Sequence, residues 1–77
     1  MGVIMRFRID IETYGTEEVI DSFECVNYKD ALQWWNKNWV DKFIAEKCNF
    51  SLYANGKQLK FEQAFDLGFY DKLKNKK

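Results

Sequence analysis

The sequence predicts an α+β domain: a four-stranded, mainly antiparallel sheet in the order ββαββ, with one long helix on one face and a short C-terminal helix. Three observations predict it. Residues 3–13 alternate apolar and polar, residues 28–46 repeat apolar side chains at three and four, and Asn55-Gly56 lies between two more alternating runs. At 77 residues the chain reads as a single domain, 1–77, near the lower size limit for folding without staples. Its 18% aromatic content supplies a large part of the needed core area.

In the first strand Val3, Met5, Phe7, Ile9 and Ile11 share one face, and Ile4, Arg6, Arg8, Asp10 and Glu12 the other. Tyr14-Gly15-Thr16-Glu17 is turn chemistry, and residues 19–26 form the second strand. Setting Ile9 opposite Phe23 and Phe7 opposite Cys25 predicts an odd-length loop centred on Thr16. It also puts Asp21 opposite Ile11 on the apolar face, which calls for a bulge near Asp21 or a place at the sheet margin. Asn27 is the expected N-cap of the long helix, with Asp30 three residues on. Tyr28, Ala31, Leu32, Trp35, Trp39 and Phe43 trace its buried stripe, flanked by Val40 and Ile44, and Trp34 points away from it.

Asn55-Gly56 fits a two-residue type I′ turn, which needs two positive φ angles. That turn sets Leu52 opposite Leu59 and Phe50 opposite Phe61, on one face with Cys48 and Ala54. Tyr53/Gln58, Ser51/Lys60 and Asn49/Glu62 fall on the other face. Phe65, Phe69 and Leu73 at i, i+4, i+8 suggest a short last helix weakened by Gly68, and residues 72–77 read as a frayed, flexible basic tail. A right-handed crossover placing the first and fourth strands side by side and parallel, as in β-grasp domains, is one arrangement of these elements.

With no His, the chain excludes Ser-His-Asp and Cys-His catalysis and His-ligated zinc. Cys25 and Cys48 fall on inward faces, where a thiol behaves as a small hydrophobe. The carboxylate pairs Asp10/Glu12 and Glu17/Glu18 lie on a solvated strand and a turn, without an apolar pocket, and the four glycines form no phosphate loop. A non-enzymatic protein without cofactor or metal is expected. The opening Met1-Gly2-Val3-Ile4-Met5 is far too short to span a membrane, so no membrane partner and a cytoplasmic location are expected.

The formal net charge of zero is a cancellation: −4 over residues 1–30 and +4 over residues 31–77. Asp10, Glu12, Glu17, Glu18, Asp21 and Glu24, with Trp34, are the candidate protein-binding residues, since acidic patches and exposed Trp both serve interfaces. The bland reading is a solvated acidic face and a Trp covered by the rest of the chain. An alternative is single-stranded nucleic acid, with Tyr53 stacking and Lys60, Lys72, Lys74, Lys76 and Lys77 supplying charge. A terminal lysine run is more often a solubilising tail. A second alternative is a structural homodimer built through exposed aromatics.

Met5-Arg6-Phe7-Arg8-Ile9-Asp10-Ile11-Glu12, Asp21-Ser22-Phe23-Glu24-Cys25 and Tyr28-Lys29-Asp30-Ala31-Leu32-Gln33-Trp34-Trp35 together form a layout. It resembles that of small phage and prophage accessory proteins of Gram-positive bacteria. The resemblance covers most of the chain, matches no diagnostic motif, and makes Met5 an alternative natural start. It implies a protein that works by binding a host protein in the host cytoplasm, some such proteins being inhibitors of defence nucleases including CRISPR effectors. No residue role carries over from it. The expectation is therefore a small binding module, monomer or homodimer, with a host protein as leading partner and nucleic acid as the alternative.

Overall fold

Period-two patterning makes β1 (Phe7–Thr13) the spine of the fold: Phe7, Ile9 and Ile11 are all buried on one side. The computed structural model describes residues 6–74, with side chains to Lys72. The expected strand residues Val3, Ile4 and Met5 lie outside the described residues, and β1 begins at Phe7. After β1 come β2 (Val19–Cys25), α1 (Tyr28–Asn38), α2 (Val40–Ile44), β3 (Cys48–Ala54), β4 (Lys57–Gln58), α3 (Phe61–Leu67) and α4 (Asp71–Lys74). The four strands make one antiparallel sheet in the order β2-β1-β3-β4.

The first hairpin has the expected register, with Phe7 opposite Cys25, Ile9 opposite Phe23 and Ile11 opposite Asp21. The bulge follows at once: Glu12 pairs with Val19, leaving Ile20 as the extra residue. Past the bulge, residues 14–18 join the two strands, an odd-length loop centred on Thr16 as expected. Thr13 N donates to Glu18 O at 2.8 Å and Glu17 N to Thr13 O at 3.0 Å.

β1 pairs on its other side with β3, Ile9 opposite Leu52 and Ile11 opposite Phe50. The two hairpins are thus joined antiparallel through their first strands, not parallel through the first and fourth as in a β-grasp. Asn55 and Gly56, at φ 54° and 86°, make the expected tight turn, with Tyr53 opposite Gln58. The ladder ends early. Leu59 N donates to Leu52 O at 2.8 Å, and Lys60 N is then capped by the Gln63 side chain at 2.9 Å. That reciprocal half of a capping box starts α3 where β4 was expected to continue. Phe61 therefore never reaches Phe50 and stands 62% exposed.

Asn27 caps α1 as expected, its Oδ1 accepting from Lys29 N at 3.0 Å. The single long helix is divided at Trp39, whose backbone sits at φ −128°, ψ −20°. Helical hydrogen bonding persists on both sides, from Trp39 N to Trp35 O and from Phe43 N to Trp39 O. The second piece closes with Lys47 N donating to Lys42 O at 2.9 Å and Glu46 in the left-handed region at φ 61°.

Helices α1 and α2 cover the apolar face of the sheet. Trp35 is fully buried between Phe43 and Phe50, with ring centroids 5.5 and 4.3 Å away. Its Nε1 donates to Phe69 O at 3.0 Å, and the Phe69 ring stacks on Phe7 and Phe50. Gly68 ends α3 at φ 100° instead of weakening its interior, and that reversal carries Phe69 into the core. Phe65 consequently lies 37% exposed while Ala64 is buried. The Leu73 side chain lies outside the described ones, and the backbone of residues 71–74 is helical.

Candidate functional site

The residues marked by the sequence separate into three places. Asp10 and Glu12 sit on the uncovered face of the central strand and are already engaged. Arg8 Nε is 3.1 Å from Asp10 Oδ1, unaligned for a hydrogen bond, so the contact is Coulombic. Asp10 is only 8% exposed. Glu12 Oε2 accepts from the Ser51 hydroxyl at 3.0 Å across the β1–β3 ladder. Neither carboxylate is free to present charge to a partner.

The second group lies on the edge hairpin. Glu17 and Glu18 in the loop and Asp21 and Glu24 on β2 are exposed. Asp21 resolves its awkward place on the apolar face in two ways. β2 is at the margin of the sheet, and Asp21 Oδ2 accepts from the Trp39 indole N–H at 3.3 Å while Oδ1 accepts from Ser22 N. Glu24 lies opposite Arg8 in the ladder.

Trp34 belongs to this edge too, but it is half-buried and not exposed as expected. Phe23, pointing from β2 toward the helices, stacks under it with centroids 5.2 Å apart and planes at 12°. The helix rotation alone turns Trp34 from the central stripe; the edge strand then supplies the surface it covers. Phe23, Asp30, Gln33, Trp34 and Lys37 line a depression beside β2. Val19 and Ile20, 53% and 49% exposed, add apolar surface at the bulge. They escaped the pattern because a bulge breaks alternation; the misfit of Asp21 opposite Ile11 was the available signal.

The third group is the nucleic-acid alternative, and the structure does not assemble it on one sheet face. Tyr53 is on the uncovered face, half-buried, with the Arg8 guanidinium 4.4 Å over its ring. A base stacking on that side of Tyr53 has to displace Arg8. Lys60 lies past the end of β4 at the start of α3, not opposite Ser51. Lys72 is exposed on α4; the side chain of Lys74, and Lys76 and Lys77 altogether, lie outside the described residues. Among the described residues the exposed rings are Tyr14 (60%), Phe61 and Phe65, instead of the expected Trp34 and Tyr53.

The thiols are held protonated. Burial pushes the Cys48 thiol up from its ordinary 9.0, against a smaller opposing effect of Lys42. Burial also pushes Cys25 up, and its Sγ donates to Asn27 O at 3.0 Å. Both are free, and neither is poised as a thiolate nucleophile. Among the described residues no group of three His, Cys, Asp or Glu is placed to hold a metal ion, and no helix is long and apolar enough to cross a membrane.

In comparisons with known proteins, the chain matches no family model, no curated protein and no solved structure.

Proposed function

We propose that the protein is a non-catalytic binding module that acts by occupying the surface of a protein partner, with the exposed acidic edge hairpin as its contact face. The observation that carries this reading is the sorting of carboxylates. Asp10 and Glu12 are engaged by Arg8 and Ser51, whereas Glu17, Glu18 and Glu24 are exposed at the margin of the sheet. Exposed like charges on a small domain speed encounter with an oppositely charged partner and select against others. The layout's resemblance to phage accessory proteins favours a host protein as that partner, and inhibition by occupancy as the effect.

The test is affinity capture from a bacterial lysate with the protein and with the E17Q/E18Q/E24Q variant, followed by mass spectrometry. One host protein retained in stoichiometric amount by the parent and lost with the variant is the expected result. Background alone on both resins overturns the proposal.

A further inference from the structure

We infer that the free edge of β2 takes up an extended, basic segment of the partner as a fifth strand of the sheet. This rests on the reading of the domain as a protein-binding module and adds the mode of binding and the chemistry of the bound segment.

β2 is the outermost strand, and among the described residues nothing pairs with its outer edge. Alternate backbone N–H and C=O groups of an edge strand point outward and hydrogen-bond any extended chain laid alongside. The bulge at Ile20 interrupts only the loop end. Asp21 through Cys25 keep a regular ladder with β1, so five residues of straight edge remain. The opposite margin differs: β4 is two residues long and runs directly into the turn before α3.

The side chains along the edge select the occupant. β2 carries two carboxylates, Asp21 and Glu24, and no cation, while the loop before it adds Glu17 and Glu18. A second copy added edge to edge would bring like charges together, which is destabilising. A segment with lysines or arginines on alternate residues places its charges beside Glu24 on the uncovered face and near Glu17 and Glu18 at the loop end. Its intervening side chains then face the helix layer. There the Phe23–Trp34 stack offers apolar contact to an aliphatic or aromatic side chain, at the edge of a depression whose other lining residues, Asp30, Gln33, Lys37 and Asn38, are polar or charged. The two faces of an added strand thus meet different chemistry, which fixes its register as well as its charge.

The test is an NMR titration of the full chain with a capped seven-residue peptide that alternates lysine and valine, with phenylalanine as its central residue. Two control peptides carry N-methyl groups on alternate amides, one along each edge. Expected are shifts at the amides of residues 21–25 and the Trp34 indole, with at least tenfold slower hydrogen exchange at alternate β2 amides. Methylation along one peptide edge abolishes binding, methylation along the other leaves it, and E17Q/E18Q/E24Q weakens it at least tenfold. Equal binding by all three peptides overturns strand addition while leaving an ionic protein-binding face intact. Shifts away from β2, or none at millimolar peptide, also overturn it. Failure of the domain as a binding module is read separately, in the lysate capture.

Discussion

The indole of Trp34 lies nearly parallel on the ring of Phe23, 5.2 Å between centroids, at the margin of the sheet formed by β2. The pair belongs both to the packing of α1 on β2 and to the surface beside the free edge. A residue in such a place is felt in stability and in binding, and the two effects separate by measurement.

Replacing Trp34 by Ala removes a half-buried ring and its stacking on Phe23. The expected cost is about 2 kcal/mol, below the about 3–5 kcal/mol of a fully buried ring. The urea midpoint reads it. Trp34→Phe keeps a ring over Phe23 and recovers more than half of the loss.

Trp35 poses a sharper test, because its Nε1 satisfies a carbonyl in the fully buried core. Trp35→Phe keeps an aromatic ring but leaves Phe69 O without this donor. A loss of about 1–3 kcal/mol is expected, added to the cost of the smaller ring. Hydrogen exchange then shows the segment after α3 loosening before the hairpins do.

Two left-handed positions have opposite expectations. Gly68 at φ 100° has Asp71 Oδ2 only 3.2 Å from where a Cβ would stand, so Gly68→Ala destabilises by at least about 1 kcal/mol. Glu46 occupies φ 61° as an L residue in the terminating turn of α2. Glu46→Gly relieves a left-handed penalty of about 1–2 kcal/mol while loosening the unfolded chain, for a net gain of about 0.5–1 kcal/mol. Thermal unfolding of the two variants shifts in opposite directions.

Alkaline pH weakens the fold. Burial raises Cys25, Cys48 and Tyr70 above their ordinary values of 9.0 and 10.0, so the native state holds these protons more tightly than the unfolded chain. Stability from this source is complete below about pH 8 and falls as pH climbs through 9 and beyond. Urea midpoints against pH check it, and Cys48→Ala with Tyr70→Phe flattens the decline.

Local chemistry was legible in the sequence wherever one short-range constraint and the hydrophobic pattern agreed. Asn55-Gly56 set the second turn, Asn27 the start of α1, and the faces of β1 and β3 came from alternation alone. The misfit of Asp21 called for a bulge or a place at the sheet margin, and the fold has both. Where two local signals competed, alternation misled: Phe61 continues the strand pattern, yet Gln63 reaching back to Lys60 N starts a helix there. The acidic residues were identifiable as a group, but not which of them are engaged. Asp10 and Glu12 find Arg8 and Ser51, and the second of these partners comes from 39 residues away.

The sequence by itself determined the two hairpin turns, the register of β1 with β2 as far as the bulge and the inward residues of β1 and β3, because turn geometry and side-chain period act over a few residues. Only the tertiary structure decided that β1 lies against β3, that β2 is left with an open edge and that Phe23 slides under Trp34. Either order of hairpins buries the same apolar faces, so patterning is indifferent to it. The choice falls to contacts across the whole chain, such as Trp35 with the Phe69 carbonyl, which hold the C-terminal segment in the core.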